Sequence, residues 1–370
     1  LAEIRFEGVT RRYDGAAALR DISLTAPDGR FTVLTGPPGC GKSVLLRLLV
    51  GLERPDSGRI LLGGEDVTDA PPASRPLGYV PQSFALYPHL TVRDNIGYPL
   101  RLAGSPRARI GERVEQVAAT LSIGHLLDKT PDTLSGGEKQ RTAVARGLAK
   151  DARVFALDDP LVGLDYKLRE RLMADLKALA RDLGATVLYA ASDPLETLAM
   201  AQELVVLDAG RVVQAGPVER IYAEPASEDA MRLVGFPRAN LLPGHAAGGR
   251  VEAGPLAFAA RAPDGPVTVG FRPEAPAPAA PGAVALEGTV TLVEDLGAEL
   301  VIYLDCAGTP VTLARAAEEG PPPETGAPLR LGVAPPDLVV FTPAAGEGAP
   351  RDASSDRSRA AGPTPSGGAA

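Results

Sequence analysis

The sequence lacks any run of about 18 apolar residues, the length a helix needs to cross a bilayer, and its first residues, LAEIRFEGV, have neither the basic flank nor the apolar core of a secretory signal. Such a chain is expected to stay in the cytoplasm. Cysteine is scarce: Cys40 and Cys306 are the only two in 370 residues, far apart and in unlike contexts. That argues against a disulfide framework and suits a reducing compartment. Positive charge is not in excess either. The formal net charge is −8 without a concentrated basic stripe, which disfavours nucleic acid as the main partner. There is no internal repeat. The last stretch, AAGEGAPRDASSDRSRAAGPTPSGGAA, has almost no large apolar residue, so residues 344–370 are expected to form a disordered tail.

What is present suffices for two or three domains with a large core. Up to about Phe236 amphipathic segments mix with short strands; from there to about Phe341 the chain turns Val-, Gly- and Pro-rich with short alternating runs. The expected division is therefore an α/β domain over 1–235 and a small all-β domain over 236–343.

The α/β part contains FTVLTGPPGCGKSVLLRLLVGL. A β-rich run leads into Gly36-Pro37-Pro38-Gly39-Cys40-Gly41-Lys42-Ser43, and an apolar helical run opens with Val44. This is G-x-x-x-x-G-K-S in the strand-to-helix setting the pattern requires. Glycines let backbone N–H groups turn inward around phosphate oxygens, and the helix N-terminus adds its partial positive charge. Lys42 is suited to neutralising the β- and γ-phosphates of ATP, and the Ser43 hydroxyl to ligating Mg²⁺. A bare Gly-Pro turn is the plainer alternative, and Cys40 fills a variable position. Downstream, VFALDDP (Val154–Pro160) looks like a strand buried on both faces that ends in two acids. Beside a phosphate cradle, Asp158 is placed to hold the Mg²⁺ water shell and Asp159 to orient an attacking water; alone, the pair could be two solvated acids at a strand end.

The third motif, LSGGEKQR from Leu134 to Arg141, resembles the signature of ABC-type ATPases. Physically, Ser135, Gly136 and Gly137 form a second anion cradle at a helix start. The resemblance implies a P-loop ABC ATPase domain, with a RecA-like core and a helical subdomain at about 84–150, in which two chains sandwich two ATPs head to tail. It also implies that Tyr13 stacks on adenine, that Gln82 senses the γ-phosphate and Mg²⁺, and that Asp165 crosses the dimer interface. Phe84 to Pro99 is where importers of this family receive the coupling helices of their permeases. By itself, DYKLRERLMADLKALARDL puts Leu168, Leu172, Leu176, Leu179 and Leu183 on one helical face, a core-packing pattern.

The C-terminal strings VTVGFRPE, TLVEDLGAELVIYL and LRLGVAPPDLVVF resemble the accessory TOBE (OB-like) β-barrel of importers for sugars, polyols, glycerol phosphates, polyamines and some anions. Arg272 and Glu274 there read either as a turn with an ion pair or as ligand contacts. The implied partners are membrane permease subunits, a second ABC ATPase subunit and a periplasmic or lipid-anchored solute-binding protein. The implied location is peripheral, on the cytoplasmic face of the inner (plasma) membrane.

Three positions depart from the family pattern. Asp159 stands where glutamate is usual, Ser192 where a histidine is usual, and Val162 where a small polar residue is usual; His89, His125 and His245 are too distant in sequence to stand in. Shortening a carboxylate by one methylene displaces it by about 1 Å, and such misplacement can cost roughly 100-fold in rate. Losing a donor aimed at transition-state charge commonly costs about 10²–10³. The nucleotide-binding groups are intact while those acting on water are altered, so the chain reads as one half of an unequal pair, hydrolytically weak at its own site and lending its signature to a more complete partner. DYKLRE and the non-histidine switch are similar to a glycerol and polyol importer branch. The alternatives are a fully active homodimeric import ATPase and a soluble or regulatory ABC protein.

Overall fold

The computed structural model describes residues 2–343, so the expected tail lies outside the described residues. Strands β1 (Ile4–Tyr13) and β2 (Ala16–Ala26) form a hairpin, followed by β3 (Phe31–Thr35), α1 (Lys42–Val50), β4 (Ser57–Leu62), β5 (Glu65–Asp66) and β6 (Leu77–Val80). Three helices come next, α2 (Val92–Leu102), α3 (Arg107–Thr120) and α4 (Gly136–Ala149). The chain then alternates through β7 (Val154–Asp158), α5 (Tyr166–Leu183), β8 (Thr186–Ala190), α6 (Pro194–Met200), β9 (Glu203–Asp208) and β10 (Arg211–Pro217) to α7 (Val218–Ala223) and α8 (Glu228–Leu233).

The central sheet has the order β10-β9-β3-β8-β7-β6, parallel except for the edge strand β10. Its inner strands FTVLT, VFALD and TVLYA are buried at every position, which is why they show no alternation in sequence. One face packs α1 against the antiparallel sheet β2-β1-β4-β5 through Leu45, Leu46, Leu48 and Leu49. The other face carries α5 and the α2–α4 cluster. On α5 the expected leucine face holds: Leu172 and Leu176 are buried, and Leu168, Leu179 and Leu183 pack against the same core.

The remaining strands are β11 (Asn240–Ala247), β12 (Arg250–Ala253), β13 (Leu256–Ala259), β14 (Gly265–Phe271), β15 (Ala277–Pro278), β16 (Val284–Asp295), β17 (Glu299–Cys306), β18 (Thr309–Ala316), β19 (Pro328–Val333) and β20 (Val339–Phe341). They make two five-stranded antiparallel sheets, β13-β12-β11-β14-β20 and β15-β19-β16-β17-β18, around one core with Val269, Phe271, Leu286 and Leu304. The expected α/β part followed by a small curled β unit is thus observed.

One sequence expectation is corrected. Arg272 forms no ion pair with Glu274 among the described salt bridges. Its guanidinium donates to the carbonyls of Met231 (3.1 Å), Val234 and Tyr222 (2.9 Å) and lies 4.1 Å from the Tyr222 ring centroid. Glu274 instead accepts from the Tyr222 hydroxyl at 2.5 Å. The cause is geometric: carbonyls in and just after the short helices α7 and α8 lack helical partners, and a planar five-donor fork meets several at once. Both cysteines are buried and free. Among the described residues no helix is long and apolar enough to cross a membrane.

Candidate functional site

The loop between β3 and α1 is built on glycines for want of room. A Cβ on Gly36 would sit 2.0 Å from the Leu207 carbonyl oxygen, and one on Gly41, which has φ 110°, would sit 2.5 Å from a Leu19 methyl. Lys42 is buried, and its ammonium donates to the Gly36 carbonyl at 2.8 Å and the Pro37 carbonyl at 3.4 Å. The charge is thereby held inside the ring formed by Gly36, Pro37, Pro38, Gly39, Cys40 and Gly41. Cys40 is buried beneath it, and desolvation pushes its thiol up despite Lys42 nearby, so it stays a thiol. Val44 packs against the α1 core.

Parallel pairing across β3, β8 and β7 brings residues more than a hundred positions apart to this loop. The Ser43 hydroxyl donates to the Asp158 carboxylate at 2.8 Å. Burial pushes the Asp158 carboxyl up, the Ser43 hydrogen bond opposes this, and Asp159 pushes it up further. A hydroxyl and a carboxylate oxygen set side by side are hard donors of the kind a small divalent cation uses with phosphate and water.

Asp159 is 5% exposed, has φ 45°, and its N–H donates to the Ala190 carbonyl at 3.0 Å. Its carboxylate accepts a 2.8 Å hydrogen bond from the Ser192 hydroxyl. The two departures read from sequence therefore touch. They open on a cleft of about 300 Å³ whose walls include Val162, Arg169, Asp193 and Glu196. Arg169, on α5, donates to Asp193 at 3.0 Å, and Asp193 caps α6 by accepting the Glu196 N–H at 3.0 Å. Sequence reasoning missed Arg169, Asp193 and Glu196. No motif marks them, because the helix–strand packing alone brings them to Asp159.

Tyr13 ends β1 at the surface. Its hydroxyl donates to the Glu53 carboxylate, and the Arg11 guanidinium stands 4.7 Å from the ring centroid. Burial pushes the Glu53 carboxyl up, but hydrogen bonds from Tyr13, Arg47 and Arg11 outweigh it and hold it below its ordinary range. Gln82 is exposed in the loop after β6, with no described hydrogen bond to Ser43 or Asp158.

Ser135, Gly136 and Gly137 open α4, and Ser135 forms a capping box. The Glu138 N–H donates to the Ser135 hydroxyl oxygen at 3.3 Å, and the Ser135 N–H to the Glu138 carboxylate at 2.8 Å. Ser135 and Gly136 are exposed. Within one chain the Gly36–Ser43 loop and the Ser135–Gly137 helix start share no described hydrogen bond. Asp165 caps α5 by accepting the Leu168 N–H at 3.0 Å.

Comparison with known proteins gives the family and the two domain types. The ABC transporter family model matches residues 19–162 and the TOBE domain model residues 269–341. The chain is 39% identical over 346 residues to the sn-glycerol-3-phosphate import ATP-binding protein UgpC of Jannaschia sp. (strain CCS1), covering 92% of this chain and 98% of that one. It is 37% identical over 353 residues to the maltose/maltodextrin import ATP-binding protein MalK of Salmonella typhi, covering 92% and 96%. Among solved structures it is similar to the ATP-binding cassette MJ0796, a dimer in a post-hydrolysis state bound to ADP and Pi. The TM-score there is 0.54 at 26% identity, over 58% of this chain and 98% of that one.

Proposed function

The chain belongs to the ABC transporter family as an import ATPase subunit of the sugar and glycerol-phosphate type, and from that premise we propose that it binds MgATP well, hydrolyses it slowly at its own site, and completes the site of a second, more competent ATPase. The observation that carries this reading is the 2.8 Å hydrogen bond from Ser192 to Asp159. The two groups that would act on water are engaged with each other. A neutral hydroxyl lends the carboxylate no positive charge, and the shorter side chain reaches less far toward an incoming oxygen.

In this reading the N–H groups of Gly36–Gly41 receive the phosphates, Lys42 exchanges loop carbonyls for β- and γ-oxygens, and Tyr13 offers its ring to adenine. Ser43 and Asp158, already 2.8 Å apart, would hold Mg²⁺, with Gln82 swinging in from its exposed loop. When bound, Mg²⁺ neutralises charge on the phosphate oxygens. Asp159 orients a water and Ser192 restrains that carboxylate. Ser135, Gly136 and Gly137 face outward to a partner's γ-phosphate, and Asp165 lies at the same interface. A heterodimer is favoured because a partner with an intact water-activating pair would turn over its own nucleotide against this chain's Ser135, Gly136 and Gly137, while the Asp159–Ser192 pair here leaves this site slow.

The units 1–235 and 236–343 are read as the ATPase and TOBE domains. The permease surface is read at Phe84–Pro99, where Phe84 and Tyr87 are exposed and Arg146 holds the loop by donating to the carbonyls of Phe84 (3.1 Å) and Ala85 (2.6 Å). A solute-binding protein delivers the cargo to the permease, and a subunit docked on that permease through Phe84–Pro99 would sit peripherally on the cytoplasmic face of the membrane.

The test is ATP-driven uptake by the reconstituted complex, each variant first checked for assembly. Ser135→Arg should stop transport by putting bulk where a partner's phosphate oxygen approaches, whereas Asp159→Asn should lower it by less than about 10-fold because little turnover passes through this site. Equal and complete loss from both changes would establish that this chain's own site turns over, as a fully active homodimer requires.

A further inference from the structure

Glu196 has no part in the chemistry described so far. It lies in the first turn of α6, is 5% exposed, and accepts a hydrogen bond from the hydroxyl of Tyr189, which is fully buried on β8. It shares the cleft with Asp159 and Ser192. The charged and titratable groups facing it are Tyr189 from β8, Asp159 from the turn after β7, Asp193 from the start of α6, and Arg169 from α5. Three carboxyl groups therefore face one guanidinium, and that guanidinium is committed to Asp193 at 3.0 Å. No described salt bridge reaches Glu196. Burial pushes its carboxyl up to about 7, the Tyr189 hydrogen bond opposes this, and Asp159 and Asp193 add to the rise.

We propose that Glu196 is the proton-uptake site linked to nucleotide binding: a terminal phosphate arriving beside Asp159 adds negative charge to a cleft rich in carboxyl groups, and the chain takes a proton onto Glu196 as MgATP binds. The inference rests on the reading that Gly36–Ser43 hold nucleotide. Its sign follows from linkage. Added negative charge favours the neutral acid and raises the midpoint above its free value. Uptake is therefore absent well below pH 7, where Glu196 is already protonated, greatest between the free and bound midpoints, and absent again well above both. MgATP affinity falls as pH rises through that window, by about tenfold for each unit that binding raises the midpoint.

The experiment is calorimetric titration of the full chain with MgATP in two buffers of different ionisation enthalpy, which counts protons exchanged. Near pH 7.5 the wild type should take up about a quarter to a half of a proton per nucleotide more than Glu196→Gln, which should still bind. Titration of the nucleotide's own phosphates cancels in that difference. In Tyr189→Phe the lost donor no longer favours the carboxylate, so the pH of maximal uptake should move up. Equal uptake in wild type and Glu196→Gln, or an unmoved maximum in Tyr189→Phe, would overturn the proposal. Absence of binding heat in the wild type would instead overturn the nucleotide-site reading, and this inference with it.

Discussion

At the scale of single residues, Asp159 combines a short carboxylate with a left-handed backbone, φ 45°, that aspartate tolerates better than bulkier side chains do. Its oxygen is held by Ser192 at 2.8 Å. Repairing one partner leaves the other mismatched: glutamate alone would outreach the serine hydroxyl, and histidine alone would meet a retracted carboxylate. Asp159→Glu with Ser192→His is therefore expected to raise the ATPase rate of the purified chain by about 100-fold, well above the product of the single changes, since both groups serve one transition state. Steady-state phosphate release checks this. No gain in the double variant would move attention to Val162, which is 54% exposed on the rim of the same cleft. The identities of Asp159 and Ser192 were legible in the sequence. Their hydrogen bond was not, because it spans 33 residues and depends on β7 and β8 pairing in register.

At the scale of elements, α1 carries Lys42 and Ser43 at one end and is tied down at the other by Arg75. That side chain is 1% exposed. It donates to the carbonyls of Leu48 (2.7 Å) and Leu49 (2.6 Å) at the end of α1, and to those of Ala70 (2.9 Å) and Thr68 (3.1 Å). A helix end stripped of such donors leaves buried carbonyls unpaired, at about 1–3 kcal/mol each. Arg75→Met is thus expected to lower unfolding free energy by about 3 kcal/mol in denaturant titrations and to weaken MgATP binding, because the cradle sits on the same helix. A loss below about 1 kcal/mol would mean that water replaces the guanidinium. Nothing in PPASRPLG marks this arginine, since arginine is ordinarily a surface residue and only packing puts this one inside.

For the molecule as a whole, Arg272 joins the β unit to the ATPase part. It projects from the end of β14 into carbonyls of α7, α8 and the segment after α8, with 9% exposure. Arg272→Ala is expected to cost about 3 kcal/mol through the unpaired carbonyls and to split a single calorimetric transition into two, one for each part. A single, merely shifted transition would show that apolar contact, not the guanidinium, couples them.

The division between sequence and structure follows from range. Continuous apolar strands, the G-x-x-x-x-G-K-S loop, the Ser135 cap and the change to alternating β segments are local patterns, and backbone propensity and hydrophobic periodicity express them within a few residues. The sequence alone was thus enough for the α/β class, the glycine loop that leads into α1, the capped start of α4 and the β unit. Tertiary structure decided the rest: that Ser43 meets Asp158, that Ser192 meets Asp159, that Arg272 serves helix carbonyls and not Glu274, and that Glu196 is buried beside three charged neighbours. Each joins residues far apart in the chain or titrates according to its burial, and burial and charge proximity belong to the packed chain, not to any stretch of it.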